Sequence, residues 1–593
     1  MKKLFLFIIT ITLPILTGCD DFLKLENYTR KDSSSFPRNE KDIQEMLTGV
    51  YASYRSNASG YHSNSEYASD HRFGGGGIND RGPQATDHLL LQNINSANGL
   101  MTGRYTGISR ANAVIDAIEE LNAGGSLDQM LGEAKVMRAG FYFELAKLFG
   151  DVPMLKTAPE NVQEAQSSPP LALADDVYKY ITSDLWAAYN LLPARKWDTY
   201  VSGTITRWAA AGLLARVFLF YTGFYEKDAL PTEEGGQVTR AQVIAALEDC
   251  MANSGHELVS DYRSLWTYSN SVTKRDYPFA VDAQPWVKDG ENPEHVMVTK
   301  NSPSNAHMST SFDHGNCLSF SMRANPKSNY DQRFPMGMGW GMGPVNSVLW
   351  DEWEVDEPTD IRRKGSIWNY KEETYFEGTG DNRREVSCED SYNENQWGSD
   401  QQMNDTGMWQ KKYCAIRAYK PDGTLWWSFM ADPEYYNNPV DHYQQGHGSD
   451  LIVIRYADIL LMHSEITKTA EGMNLVRARV NLPAITYSDD ALRKERVHEL
   501  SFEGLRWDDI RRWHIAEIEL DKCYGVRINN AGKFTTMQPQ GPSGEEKLSD
   551  RYRTTKGFFS ISETQLNLAP DVLKQNPGWE RSDLIYSGFK DTN

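Results

Sequence analysis

Two carboxylates lie close together in the sequence and could do acid–base chemistry. Glu499 and Glu503 are four residues apart in a predicted helix, a spacing that places both on one helical face. Paired carboxylates hydrolyse glycosides when one carboxyl stays protonated and acts as the general acid. Here Arg496 and Arg506 lie three residues before the first and three after the second. Because a guanidinium lowers the pKa of a nearby carboxyl, the pattern favours a structural ion-pair network over catalysis.

The sequence lacks the compact motifs of common catalytic centres. It has no G-x-S-x-G elbow, no H-E-x-x-H zinc motif and no P-loop. Alternating glycines at positions 337, 339, 341 and 343 surround Trp340, but Met342 breaks the G-x-G-x-x-G phosphate-binding pattern. We expect a turn that presents or packs this Trp. No two of the cysteines have CxxC spacing, and the sequence predicts no metal site and no cofactor.

Flat aromatic side chains are abundant and could form a binding surface. The 16 Trp and 30 Tyr supply rings that stack on apolar ligand faces, while polar neighbours bind hydroxyl groups. Asp70 and Arg72, beside the glycine run at 74–77, are the predicted hydroxyl-binding residues. Core packing is the competing role for every aromatic candidate. The predicted stacking platforms are Trp286, Tyr330, Trp340 and Trp350, with Trp426 and Trp427 as further candidates.

The charge balance argues against one class of partner. The formal net charge is -20 at pH 7, from 81 acidic and 61 basic residues. A field of this sign repels phosphate backbones, so nucleic acid is excluded as an expected partner, and polyanionic glycans are disfavoured.

The N-terminus has the pattern of a secretion signal followed by a lipid-attachment site. Two lysines precede an apolar run over residues 4–16, which is too short to span a bilayer. The run ends in Leu16-Thr17-Gly18-Cys19, which resembles the bacterial lipobox, with Cys19 as the lipidated residue. Acidic residues directly after Cys19 resemble the surface-export signal of Bacteroidetes lipoproteins. We expect an outer-membrane lipoprotein that faces the cell exterior.

Apolar periodicity predicts that both ends of the chain are helical. The predicted helices cover residues 43–54, 105–121, 126–148, 174–192, 204–221, 456–468 and 489–513. Consecutive helices with small residues at their crossings favour a mainly α fold, an α-solenoid of tetratricopeptide-like helix pairs. Residues 56–104 and 262–447 lack this period and are rich in loop-forming residues, and long loops in compact proteins are usually functional.

These patterns predict three parts of the chain. Residues 1–18 are the signal peptide and residues 19–38 a flexible, lipidated tether. Residues 39–593 form a single domain. Its helical scaffold comes from about 39–255 and 450–593, and its large irregular, loop-rich binding region covers about 256–449.

Five segments resemble one family, the SusD/RagB nutrient-binding lipoproteins. They are Glu133–Pro153, read as "EA…RA…L…FGDVP"; Gly203–Val217; Ile454–Met462 with Asn474–Arg479; Arg496–Arg512, read as "ER..ELSFEG.RW.DIRR"; and Gln575–Trp579. They occur in the family's order. The segment between Met462 and Asn474 is shorter than is usual, and Ser560 and Ser562 replace two common prolines, which affects the scaffold alone.

The resemblance implies a capture protein that is not an enzyme. Its partner would be a SusC-like TonB-dependent transporter, over which it would act as a hinged lid, and its ligand an oligosaccharide or polysaccharide. Two alternatives stay open: a RagB-like peptide-binding protein and a surface glycoside hydrolase.

Overall fold

The computed structural model describes residues 36–77, 80–95, 98–121, 124–158, 169–271, 273–301, 315–322, 339–378, 380–391, 404–414, 416–419, 425–428 and 449–590. Its N-terminal part is built from helices. They are α1 Glu40–Tyr67, α2 Arg81–Asp87, α3 Asn98–Leu121, α4 Asp128–Phe149, α5 Ala174–Leu191, α6 Arg207–Phe224 and α7 Arg240–Asn253. Polar caps fix several starts: the Asn39 side chain accepts from the Asp42 N–H, and Thr239 forms a capping box with Gln242.

Consecutive helices of this part pack against one another. Contacts link α1 to α3, α3 to α4, α4 to α5, α5 to α6 and α6 to α7. Glycine permits close crossings, because a Cβ on Gly107 would lie 2.3 Å from the Phe141 ring and one on Gly132 would lie 2.7 Å from Leu192. The predicted mainly α fold of tetratricopeptide-like helix pairs is confirmed.

Helices from the C-terminal part complete this scaffold. They are α13 Tyr456–Thr467, α14 Glu471–Arg479, α15 Asp489–Leu500, α16 Arg506–Arg512, α17 Ala516–Leu520, α18 Leu548–Thr555 and α19 Glu563–Leu568. Helix α13 packs on α6 and α7, and α16 packs on α1 and α6. The two ends of the chain therefore share one apolar core.

Between them lie short helices and two-stranded antiparallel sheets. The helices are α8 Thr273–Asp276, α9 Asn316–Phe320, α10 Ser347–Asp356, α11 Ile361–Ser366 and α12 Cys388–Ser391. The strand pairs of the chain are β1 Val152–Pro153 with β2 Leu171–Ala172, β3 Leu230–Pro231 with β4 Gln237–Val238, β5 His295–Thr299 with β12 Leu451–Arg455, β6 Ile367–Asn369 with β9 Met408–Gln410, β7 Thr374–Glu377 with β8 Arg384–Ser387, β10 Ile416–Tyr419 with β11 Leu425–Ser428, and β13 Arg527–Asn530 with β14 Lys533–Thr536. The β5–β12 pair joins this irregular region to the start of α13.

Several predicted boundaries are wrong, since α2 and the first turns of α3 lie within residues 56–104, which were expected to be irregular. Residues 56–67, expected to be irregular, continue α1, because the polar residues Ser63 and His62 bond Asn316 and the Phe502 carbonyl. The helix expected over 489–513 is broken, because α15 ends at Leu500 and both Phe502 and Gly504 have positive φ.

The described residues include five buried cysteines and no membrane-spanning helix. Cysteines 250, 317, 388, 414 and 523 are buried and free of disulfides. Within the same residues, every helix is too short or too polar to cross a bilayer.

Candidate functional site

The carboxylates of Glu499 and Glu503 lie in a buried ion-pair network. Glu499 accepts from Arg362 at 2.9 Å, from Arg455 at 2.5 Å, and from Arg479. Glu503 accepts from Arg455 at 2.8 Å and from Lys412 at 2.7 Å. Although burial alone raises a carboxyl pKa, these cations outweigh it and lower the pKa of both Glu side chains. An ionised carboxylate cannot serve as a general acid.

The structural role predicted for this pair agrees with the structure, but the predicted partners are wrong. Arg496 pairs with Asp458 and Asp509, and Arg506 pairs with Asp70 at 2.7 Å. The cations around Glu499 come from α11, β12 and α14 instead. These elements are far apart in the sequence, so helical spacing could not identify them.

Asp70 and Arg72 both take part in ion pairs. Asp70 is bound to Arg506 and lines a cleft beside α10. Arg72 is buried: it bonds Glu66 at 2.7 Å, the Gly343 carbonyl at 3.0 Å and Gln410 at 2.5 Å. Its guanidinium is committed to the interior of the protein, so Arg72 has a structural role here and presents no surface to a ligand.

Two of the predicted aromatic platforms, Trp286 and Trp350, are buried. Trp286 is 6% exposed and Trp350 is 3% exposed, and the Arg363 guanidinium lies 4.2 Å from the Trp350 ring. Both rings therefore pack inside the protein. Trp426 and Trp427 lie in β11, opposite Ala418 and Arg417. Tyr330 and Cys19 lie outside the described residues.

Trp340 differs from Trp286 and Trp350 because 39% of its surface is exposed. Its backbone is held firmly, since its N–H donates to the Leu318 carbonyl at 2.7 Å. Gly341 and Met342, which come directly after Trp340, pair with the glycine run at 74–77. The Gly75 N–H donates to the Met342 carbonyl and the Gly76 N–H donates to the Gly341 carbonyl, both at 2.8 Å. Trp340 is thus an exposed aromatic side chain on a well-supported segment, the arrangement that a stacking platform requires.

The glycines on both sides permit this close pairing. A Cβ on Gly75 would lie 2.3 Å from the Gly341 carbonyl oxygen, and one on Gly343 would lie 2.6 Å from the Arg72 guanidinium. Gly341 also has a φ of +63°. Gly341 and Gly343 therefore support a turn that presents Trp340. The Asp87 carboxylate accepts from the Gly74 N–H at 2.7 Å, and burial raises the pKa of Asp87 to about 8.

Three side chains of the types that bind metal ions lie close together, although the sequence predicted no metal site. Asp289, His295 and Asp450 place three possible ligand atoms within 4.8 Å of one another. The Lys300 ammonium, 2.8 Å from Asp450, already compensates part of the charge. Burial and the neighbouring Asp289 raise the pKa of Asp450 to about 8. No sequence spacing would reveal the cluster, because its members come from distant segments.

Several solved structures share this fold, and two of them serve as examples. A SusD homologue from Bacteroides thetaiotaomicron aligns with a TM-score of 0.65 and 21% identity, over 93% of this chain and 99% of that one. Surface glycan-binding protein A from Bacteroides thetaiotaomicron in complex with laminarihexaose aligns with a TM-score of 0.61 and 17% identity, over 91% of this chain and 99% of that one.

Curated relatives and family models agree with the fold. "SusD-like protein P38" from Formosa agariphila is 25% identical over 535 residues, 85% of this chain and 90% of the relative. A "SusD-like protein" from Bacteroides ovatus is 29% identical over 215 residues, which span 35% of this chain and only 36% of the relative. The model described as "Starch-binding associating with outer membrane" matches residues 21–219, and the model described as "SusD family" matches residues 293–579. The chain is a member of the SusD/RagB family.

Proposed function

We propose that this protein captures glycans at the cell surface and delivers them to a SusC-like TonB-dependent transporter. The observation that carries the proposal is the shared fold. The chain aligns over 91% of its length with a surface glycan-binding protein in complex with laminarihexaose. The exposed Trp340 supports it, because sugar rings stack on aromatic faces while their hydroxyls bind polar neighbours.

The proposed mechanism is weak capture followed by release. One stacked ring and a few hydrogen bonds, at about 1 kcal/mol each, correspond to an affinity of roughly millimolar, and two or three stacked sugars would bring it toward micromolar. Weak binding suits a protein that must pass its ligand to a transporter. The rigid helical scaffold would dock on the transporter as a hinged lid, and a lipid on Cys19 would hold the protein at the outer surface of the outer membrane.

A direct test is affinity electrophoresis and a glycan array with the purified wild-type protein and Trp340→Ala. We expect wild type to be retained by at least one neutral glycan and the variant to be retained less. Release of reducing ends during incubation would instead identify a glycoside hydrolase. Binding to peptides and to no glycan would identify a RagB-like peptide-binding protein.

The transporter step needs its own measurement. We expect a TonB-dependent transporter to co-purify with the protein extracted from its native outer membrane in mild detergent. Failure to recover any transporter under conditions that retain glycan binding would contradict delivery but leave glycan capture standing.

A further inference from the structure

A cavity with a volume of about 280 Å³ lies on the helical scaffold, between α6, the end of α13 and the starts of α7 and α15. We call it the basic pocket. Its described charged lining residues are Lys227, Arg240, Lys468, Arg493 and Arg512, together with Glu465 and Asp489. Five cations therefore share the pocket with two carboxylates, although the whole chain has a formal net charge of -20. A local excess of positive charge in an acidic protein attracts anions to this one place.

Two of the five cations have no carboxylate partner among the described residues, whereas the other three form ion pairs. Arg240, at the start of α7, donates to the Ile466 carbonyl at 3.2 Å, which is an uncharged acceptor. Arg493 of α15 is partly buried. Its Nε is enclosed, but its terminal nitrogens are accessible to solvent and bind no carboxylate in the described part of the chain. These two guanidinium groups are therefore available to an anion that enters the pocket.

The Trp513 ring restricts the motion of the arginines beside it. The Arg493 guanidinium lies 5.5 Å from the centroid of this ring and the Arg512 guanidinium 4.6 Å from it. Trp513 is itself fixed, because its Nε1–H donates to Glu465 at 2.8 Å. A guanidinium held against an aromatic ring loses less conformational entropy when it binds a ligand than a free side chain does. The pocket therefore presents partly pre-positioned donors.

We propose that the basic pocket binds the carboxylate or sulfate group of an acidic sugar residue in a captured glycan. Guanidinium groups bind such oxyanions through paired, charge-assisted hydrogen bonds. The volume is close to the lower end of the range for small-molecule sites, roughly 300–1,000 Å³, so the pocket admits one sugar residue and not a long chain.

The charge of the rest of the molecule limits the kind of glycan. Because the protein is negative overall, it repels a polyanion, and the expected ligand carries isolated acidic residues on an otherwise neutral chain. This inference rests on the proposed function and adds to it a substrate class and a contact separate from Trp340.

The test compares Arg240→Gln and Arg493→Gln with the matched control Arg553→Gln. Each substitution removes one positive charge, and Arg553 is exposed in α18 and does not line the pocket. Since neither pocket arginine is paired with a described carboxylate, its loss leaves no such acid uncompensated. Isothermal titration calorimetry would use D-glucuronate and the sulfate monoester of D-glucose, with D-glucose and sodium sulfate for comparison.

We expect wild type to bind both acidic sugars at least tenfold more tightly than glucose or inorganic sulfate. Each pocket variant should bind the acidic sugars roughly tenfold more weakly than wild type, because a charge-assisted hydrogen bond is lost, and the control should equal wild type. Arg493→Lys keeps the charge and should retain more of the affinity than Arg493→Gln.

A second measurement keeps the proposal testable if a pocket variant fails to fold. In wild-type protein labelled with ¹⁵N-tryptophan, the indole signal of Trp513 should shift as the glucose sulfate is added. The signal of Trp208 should not shift, since this ring is buried, donates to the Arg195 carbonyl and does not line the pocket. Higher salt should reduce the shift at a given ligand concentration, because salt screens the attraction between charges.

The outcomes separate this proposal from the proposed function. Equal affinity for the acidic sugars in wild type and both pocket variants, with neutral glycan still retained, would overturn the pocket and leave glycan capture intact. An unmoved Trp513 signal at saturating glucose sulfate would overturn it as well. Inorganic sulfate that binds as tightly as the sulfated sugar would reveal an adventitious ion only. Retention of no glycan by wild type, neutral or acidic, would overturn the proposed function and the pocket together.

Discussion

At the scale of single residues, removing Trp340 and removing Trp286 should have different effects: the first should mainly weaken glycan binding and the second should mainly lower stability. Trp340→Ala removes a ring that is 39% exposed, so we expect about fivefold to tenfold weaker glycan binding and a smaller loss in the free energy of unfolding than a buried Trp would give. Trp286→Ala empties a buried site and should lower the free energy of unfolding by about 3–5 kcal/mol. Urea unfolding and affinity electrophoresis of both variants check this. Equal glycan retention by Trp340→Ala and wild type would show that Trp340 is not a platform.

The buried network around Glu499 predicts a pH-dependent loss of stability. Its pKa is lowered by Arg479, Arg455 and Arg362, so its stabilising contribution is present above its ordinary pKa of 4.5 and is lost as the pH falls. Glu499→Gln leaves buried guanidinium groups uncompensated and should cost about 3–5 kcal/mol at neutral pH.

Urea unfolding at several pH values measures this effect. The difference between variant and wild type should shrink as the pH is lowered below 4.5. Glu517→Gln is the matched control, because its ion pair with Arg553 is exposed and should contribute less than about 1 kcal/mol. A Glu499→Gln protein as stable as wild type at neutral pH would contradict the importance of the network.

Residue roles were only partly predictable from the sequence. The ionised, structural state of Glu499 followed from nearby arginines, but its actual partners come from three distant segments. Similarly, the composition predicted aromatic platforms, but burial separates Trp340 from Trp286 and Trp350. Burial depends on tertiary packing, which single residues and local spacing do not encode.

At the scale of elements, the paired glycine segments predict a strong effect of one added methyl group. Gly75→Ala would place a Cβ 2.3 Å from the Gly341 carbonyl oxygen, so the two segments must separate. We expect a loss of about 1–3 kcal/mol and weaker glycan binding, because the segment that carries Trp340 shifts.

The matched control for this change is Gly49→Ala in α1, where nothing lies within 4 Å of the new Cβ. It should stabilise the protein by about 0.5–1 kcal/mol, since alanine favours helix. Thermal unfolding and glycan titration would measure both variants. If Gly75→Ala proved as stable as wild type and bound glycan equally well, the close pairing would not support the platform.

Asp87 of helix α2 should give the stability a second pH dependence, opposite in sign to that of Glu499. Burial raises the pKa of Asp87 from 3.8 to about 8, so the folded state holds a proton that the unfolded state loses. Stability should therefore fall as the pH rises between these values. Asp87→Asn should flatten this dependence, which thermal unfolding across the same range would show. A parallel pH profile in the variant would contradict the raised pKa.

Most scaffold helices could be predicted because their apolar period is strong. The helix predicted over 174–192 is observed as Ala174–Leu191. The errors have physical causes: residues 56–67 are polar, and their helix is stabilised by contacts with Asn316 and Phe502 that no local pattern shows. The break after Leu500 depends on positive φ at Phe502, a bulky residue that rarely adopts it.

At the scale of the whole molecule, both ends of the chain build one helical scaffold, and the irregular region is joined to it through β5 and β12. The proposed anchor can be tested at this scale. Cys19→Ala should release the protein from the membrane fraction, and protease added to whole cells should degrade the wild-type protein. Retention of the variant in membranes would contradict lipid attachment at Cys19.

The most direct test of the central proposal is a glycan-binding measurement on the intact wild-type protein, with reducing ends assayed in the same samples. We predict reversible retention by at least one neutral glycan, weakened by Trp340→Ala, with no release of reducing ends. Retention by no glycan, or cleavage of the glycan that is bound, would contradict surface capture as the function of this protein.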